Sequence, residues 1–223
     1  MRLSGHQHFY QYVARDFRRA GAVAPSTRFL GYAMTSELAA RGPAPARVLE
    51  VGGGSGSITE VIARRMTPGS RLDVYEIDDV LADVLRRRFT GEAAERFPHL
   101  DIRIFNSPIE SIEARPVYDY IVSCLPFTNF QPDAVGRIFE SYRALLAPDG
   151  VCSFYEYILV RRLALMVSGK PHERLRVVGV GDVVRRYTSA FCFKREVVLC
   201  NIPPAGVYHL RFSRGSFPHE SYQ

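Results

Sequence analysis

The sequence predicts one doubly wound α/β domain: a mostly parallel sheet with helices on both faces, closed by a C-terminal antiparallel hairpin. Three observations carry that expectation. Arg47 to Asp78 reads as strand, tight loop, helix and second strand: an aliphatic run (Val48, Leu49, Val51), four glycines within five positions (Gly52, Gly53, Gly54, Gly56), apolar residues at helical spacing (Ile58, Val61, Ile62), then Leu72 to Ile77. Further short apolar runs at 101–105, 118–123 and 151–155 alternate with helical patterns, the signature of a parallel sheet. A length of 223 residues with 47% hydrophobic content suits one large core better than two small ones.

Glu76 and Asp78 close the second strand, about 24 residues after the first glycine. An acidic residue there, following a glycine loop, marks a nucleoside-binding βαβ unit. A dinucleotide would need G-x-G-x-x-G, and Ser57 stands where its third small residue belongs. The spacing is instead Glu50-x-Gly52-x-Gly54-x-Gly56, which resembles the first motif of the class I S-adenosylmethionine-dependent methyltransferases, a Rossmann-like fold. The resemblance implies that Gly52, Gly53, Gly54 and Gly56 pass close to the cofactor and that the Glu50 carboxylate helps to hold it. Glu76 would take both ribose hydroxyls, with Ile77 beside it. Any Cβ on the glycines would be expected to collide with the ligand.

Composition narrows the partners. A formal net charge of +6 and a pI near 9.3 point to an anionic partner: nucleic acid, membrane headgroups or a phosphorylated substrate. Cys124, Cys152, Cys192 and Cys200 are scattered without C-x-x-C pairs or histidines at metal spacing, so buried thiols in a reducing cytoplasm are expected, with no metal. No cleavable leader and no apolar run near the ~20 residues of a membrane span is seen, so the protein is expected to be neither secreted nor integral.

Taken in order, residues 9–20 form an amphipathic helix. Phe9, Tyr12, Val13 and Phe17 share one arc with Tyr10 at its edge, and Arg15, Arg18 and Arg19 gather opposite. That pattern fits an interfacial membrane helix or a lid docked on the core. Gly21 to Met34 starts a helix at Pro25, with Ser26 or Thr27 near its cap. Arg41 to Ala46 is a short connector, so residues 1–46 are expected as helical lid and connector and 47–223 as the catalytic domain. Val80, Val84 and Leu85 define the helix after Glu76, with Arg86 to Arg88 as a solvated face. Asp101 to Phe105 is a strand ending at Asn106, Ser107 and Pro108.

The strand Tyr118 to Ser123 leads into Cys124, Leu125, Pro126 and Phe127. A helix over 131–146, stopped by Pro148, Asp149 and Gly150, precedes a strand from Val151 to Tyr155, with Glu156 and Tyr157 beyond it. Residues 161–186 are basic, a solvated face or a surface for lipid phosphate. Phe191 to Asn201 and Val207 to Ser213 are the closing hairpin.

Over about Phe9 to Phe212 the chain resembles the bacterial phospholipid N-methyltransferases of the soluble, membrane-associated type, most specifically in GAVAPSTR (21–28) and SCLPF (123–127). The resemblance implies that Ser26, Thr27 and Arg28 lie near the cofactor's methionine end. Family members usually carry Asp then a small residue at 106–107, and Asn106 would accept from the adenine amino group through its amide oxygen. Ser123, Leu125, Pro126 and Phe127 would form the acceptor turn, with Phe127 over the reacting nitrogen. Glu156, with Tyr155 or Tyr157, would bind the ammonium and ease proton loss.

The implied reaction is stepwise methylation of phosphatidylethanolamine to phosphatidylcholine, with S-adenosylhomocysteine as by-product. The expected setting is peripheral attachment to the anionic inner face of the cytoplasmic membrane through residues 9–20, with a monomer off the membrane and no nucleic acid partner. Another amino lipid, such as ornithine lipid, would fit the same site. An adenine-N6 methyltransferase of rRNA or other nucleic acid is the alternative, which Ser123 in place of Asn or Asp disfavours; a cofactor-binding scaffold without activity is the third reading.

Overall fold

The computed structural model describes residues 28–158 and 171–212. The segment 9–20, expected as an amphipathic helix, lies outside them, as do Ser26, Thr27, Arg161, Arg162 and Lys170. The described chain runs α1 (Arg28–Met34), α2 (Ser36–Ala40), β1 (Arg47–Val51), α3 (Ser57–Arg65), β2 (Arg71–Tyr75), α4 (Asp79–Phe89), β3 (Asp101–Phe105), β4 (Tyr118–Ser123), α5 (Pro132–Leu145), β5 (Leu146–Tyr157), α6 (Pro171–Phe191), β6 (Cys192–Val198) and β7 (Ala205–Leu210). The sheet order is β3-β2-β1-β4-β5-β7-β6. β1 to β5 pair in parallel, and β7 runs antiparallel to both β5 and β6. Strand order reverses between β1 and β4, so the crevice beyond their carboxyl ends is where such a sheet binds ligands.

Each face of the sheet has its own core. One is built from Leu49, Ile121 and Phe154 against Val135, Ile138 and Phe139 of α5 and Val180 and Val184 of α6. The other sets Val48, Leu72, Val74 and Val207 against Leu30 and Met34 of α1, Ile58 and Ile62 of α3 and Leu85 and Phe89 of α4. The segment before the sheet is therefore packed into the same core as the sheet. A Cβ on Gly31 would come within 2.8 Å of Val61, so its absence lets α1 cross α3 closely. A polar network fastens α2 to the hairpin: Ser36 Oγ donates to Glu196 Oε1 (2.5 Å), Lys194 Nζ reaches Glu37 Oε1 (3.0 Å), and the buried His209 lies between Ser153 Oγ (2.8 Å) and Glu196 Oε1 (3.1 Å). Burial lowers the His209 pKa, which favours a neutral imidazole there.

Several elements differ from the sequence reading. β5 starts at Leu146, because Asp149 takes a positive φ of 64° and lets Pro148 and Gly150 bend the strand where a full stop was expected. In α4 the buried residues are Ala82, Leu85 and Phe89, while Val80 is exposed; Asp78 caps the helix by accepting from Val80 N and Leu81 N, which turns Val80 outward. Arg86 and Arg87 are exposed as expected, while Arg88 is half-buried and donates to the Ser55 carbonyl and to Glu60 Oε2 (3.2 Å). Cys152 is fully buried, but Cys124 and Cys192 are half-buried and Cys200 is exposed. Among the described residues no helix is long and apolar enough to cross a membrane.

The glycine loop carries a first prediction. Gly56 sits at φ 83°, and a Cβ there would stand 2.7 Å from the Phe89 ring. Gly56→Ala therefore combines left-handed strain with overpacking and should lower unfolding stability by roughly 2 to 4 kcal/mol, read by denaturant titration.

Candidate active site

Three strand ends build the crevice. β1 stops at Val51 beside Tyr75 and Ser123, and the chain turns through Gly52 to Gly56 into α3. Gly52 N donates to Tyr75 O (2.8 Å) and Gly56 N to Gly53 O (2.9 Å), so the loop is held from below by backbone bonds. Gly52, Gly54 and Gly56 all have positive φ. The need for glycine comes from the protein itself as much as from any ligand: a Cβ on Gly53 would lie 2.6 Å from Val74 Cγ1, and one on Gly52 3.1 Å from Leu125 Cδ2. Gly54 alone of the four faces open space, with only the Gly52 carbonyl at 4.0 Å.

Glu76 braces this loop. Its Oε2 accepts from Gly54 N and its Oε1 from Asp78 N, each at 2.9 Å. Burial raises its pKa, and the backbone donors work against that rise. Asp78 is committed to the α4 cap, so of the two acids only Glu76 serves the loop. Asn106 Nδ2 donates to the Glu76 carbonyl (3.0 Å), which orients the exposed amide with its oxygen away from that bond. Ile77 and Ser107 are half-buried on the same rim.

Beneath the loop lies Glu50, wholly buried. Desolvation raises its pKa to about 8, against the influence of Thr59 and Cys124 and with a further push from Glu76. The Cys124 thiol approaches its Oε1 at 3.9 Å. Thr59 faces the carboxyl without reaching hydrogen-bond geometry, leaving both Glu50 Oε2 and Thr59 Oγ1 unpartnered. Among the described residues, the third such buried atom is Tyr157 Oη at the end of β5. Tyr155 and Asn201 come near that phenol without completing a bond to it, and burial raises its pKa, so it remains a protonated phenol. A buried carboxylate oxygen and hydroxyls without partners are what the cationic end of a sulfonium nucleoside would satisfy. The donor set fits the cofactor that the glycine loop suggests. Thr59 and Cys124 are additions to the sequence reading. Thr59 hid among Ile58, Val61 and Ile62 as one more residue of an apolar helix face, and its only signal was a hydroxyl at a core position.

The acceptor side differs more from expectation. Ser123 is fully buried and its hydroxyl accepts from Tyr142 Oη (2.7 Å), so its side chain points into the core behind the crevice. Phe127 is also core, 3% exposed and packed on Phe139 (5.2 Å) and Phe154 (5.6 Å), so its ring is not over an acceptor nitrogen. The cause is the turn at 127–129, which folds Phe127 back under α5. Leu125 and Pro126 are half-buried at the mouth. Ser123 pairs with Phe154, so Tyr155, Glu156 and Tyr157 project three residues beyond β4 and form a wall. Alternation splits that wall: Tyr155 and Tyr157 fall on the face of α1 and α3, and Glu156 on the face of Phe154 and α5. The two tyrosines contact each other edge to face at 5.2 Å. Arg28 is exposed at the start of α1 with its guanidinium over Phe29. Arg176 is half-buried and binds the carbonyls of Thr128 and Phe130.

A second prediction tests the burial of Ser123. Ser123→Ala strands the Tyr142 hydroxyl and should cost roughly 1 to 3 kcal/mol of stability, with cofactor affinity by calorimetry unchanged within about twofold.

Comparison with known proteins agrees with this fold. Residues 49–152 match the model of a methyltransferase domain, a span running from β1 to β5. The fold is similar to that of the O-methyltransferase from Bacillus cereus in complex with S-adenosylhomocysteine, with TM-score 0.61 and 18% identity over 95% of this chain and 92% of that one. The fold is that of the class I methyltransferases, and the stretch 49–152 is the part of the chain that matches a methyltransferase domain. In sequence it is 28% identical to an ornithine lipid N-methyltransferase of Singulisphaera acidiphila, over 94% of this chain and 98% of that protein. It is 36% identical to a tRNA1(Val) (adenine(37)-N6)-methyltransferase of Aeromonas hydrophila subsp. hydrophila over 81 residues, 36% of this chain and 32% of that protein.

Proposed function

We propose that this chain is an N-methyltransferase of an amino lipid. The observation that carries the reading is the near full-length likeness to an ornithine lipid N-methyltransferase; the 81-residue likeness to an adenine-N6 enzyme spans only a third of the chain. Ornithine lipid moves ahead of phosphatidylethanolamine as the first substrate to try, and both present a primary amine on an acyl-bearing lipid.

When bound, the cofactor supplies an electrophilic methyl on a sulfonium. In the proposed roles, Glu76 takes the ribose hydroxyls while bracing Gly54, and Asn106 accepts from the adenine through its amide oxygen. Gly54 offers the open backbone surface, and Glu50 with Thr59 receives the cationic end. An ammonium has no lone pair and must lose a proton to water before it attacks. The Tyr157 hydroxyl, protonated and unpartnered, accepts a hydrogen bond from the acceptor's N–H and orients its lone pair. Leu125 and Pro126 exclude water from the mouth. Good orientation of two reactants can contribute roughly 7 to 11 kcal/mol, so the reading requires no strong base.

The test is transfer of label from radiolabelled S-adenosylmethionine to ornithine lipid liposomes, phosphatidylethanolamine liposomes or RNA, incubated separately. Label in either lipid extract supports the reading. Label in RNA alone, or none in lipid, defeats it.

A further inference from the structure

The hairpin that closes the sheet carries strongly exposed apolar side chains at the end where the site opens. From residue 196 to 211 the chain has a charged residue only at those two ends, and within it Leu199 is 74% and Ile202 80% exposed. Asn201, the polar residue between them, is buried and donates from Nδ2 to Pro203 O (2.9 Å), which turns the polar group inward and the aliphatic ones outward. Register fixes where this tip lies. Val198 pairs with Ala205, and Ala205 with Tyr157, so residues 199–204 project past the last residue of β5, beside the crevice. The start of α6 shares that end, because Arg176 binds the turn that follows β4. There Leu175 is 73% exposed, and Val178 is exposed as well.

Hairpin tips are ordinarily polar, and large aliphatic residues on one rim mark an interaction surface. We infer that Leu199 and Ile202, together with Leu175 and Val178, form a bilayer-docking edge that sets the mouth of the site against a lipid surface. The inference rests on the amino-lipid reading, since a substrate whose acyl chains stay in the membrane requires a mouth that meets it. Two points argue for lipid over a protein partner. The apolar groups are protruding tips on two separate elements, a shape for penetrating a soft phase. The chain's charge is +6, and Arg174 stands exposed beside Leu175, complementing an anionic headgroup layer below which the aliphatic tips would sit.

Cys200, exposed at the tip, provides the probe. Full-length protein labelled there with a polarity-sensitive fluorophore should shift its emission to the blue on phosphatidylglycerol–phosphatidylethanolamine vesicles. The same label on Arg115→Cys in a Cys200→Ser background, in the loop ahead of β4 at the opposite end, should not shift. The double variant Leu199→Ser, Ile202→Ser should partition onto those vesicles roughly tenfold or more weakly, with cofactor affinity and thermal unfolding unchanged. No shift at residue 200, or a double variant that partitions like the parent, overturns the docking edge. So does a double variant that turns a dimer into a monomer with vesicle binding intact, which would make the rim a contact between copies. Activity on lipid dispersed in detergent micelles separates the two readings. A wild type inactive both there and on vesicles defeats the amino-lipid function itself, whereas a double variant active in micelles and impaired on vesicles supports the docking edge.

Discussion

Glu76→Ala is expected to weaken S-adenosylmethionine binding by two to three orders of magnitude in Kd, measured by calorimetry. Two losses combine. The proposed pair of charge-assisted bonds to ribose hydroxyls disappears, and the loop loses its brace, because Gly54 N and Asp78 N both give their hydrogen bonds to this carboxylate. Bonds to a charged acceptor are worth roughly 1.5 to 3 kcal/mol each, so a total near 3 to 4 kcal/mol is a conservative sum. Glu76→Gln should be almost as damaging, since its NH2 would face a backbone N–H that needs an acceptor. Asp78→Ala is the control: it removes the α4 cap and should cost about 1 kcal/mol of stability while leaving affinity near that of the parent. If Glu76→Ala binds the nucleoside like wild type, the assignment of this site is wrong.

Glu50 should make both stability and cofactor affinity depend on pH. Its folded pKa is raised from 4.5 to about 8 by burial. Between those values the folded protein holds a proton that the unfolded chain has released. This group's contribution is therefore most favourable below about pH 4.5, declines as pH rises to about 8, and levels off beyond. The decline is at most roughly 4 to 5 kcal/mol over that window, and Glu50→Gln should remove it, giving a variant more stable than the parent at pH 8 and little different at pH 5. Binding runs the other way. A cation placed at Glu50 Oε2 favours the carboxylate, so affinity should rise from pH 6 to 8 by up to about tenfold per unit, with uptake of cofactor releasing close to one proton. Titrations in buffers of different ionisation enthalpy measure that proton directly. In Glu50→Gln the affinity should be lower and flat with pH; a parent whose binding is equally flat would exclude this role.

The loop and its two acids were legible because local chemistry dictates them. Closely spaced glycines between an aliphatic run and a helical pattern allow few conformations, and an acid at a strand end is placed by strand geometry alone. The limits of β1 to β4 followed from the same alternation to within two residues. Residues whose role depends on partners distant in sequence were not legible. Ser123 looked like part of the acceptor turn until Tyr142 on α5 took its hydroxyl, and Phe127 until Phe139 and Phe154 closed over it. Tyr155, Glu156 and Tyr157 formed one group in the sequence, but the pleat sends them to opposite faces.

By itself the sequence determined the class of fold and the glycine loop with its two flanking acids, because both follow from residue type and spacing within some thirty positions. Only the tertiary structure decided which buried groups are left unpartnered. Glu50, Thr59 and Tyr157 come from three different elements, and a polar atom is satisfied or stranded by what the rest of the chain folds against it. It also decided that the apolar tip of the closing hairpin lies beside the crevice, since antiparallel pairing with β5 carries residues some forty positions away in sequence to the mouth of the site.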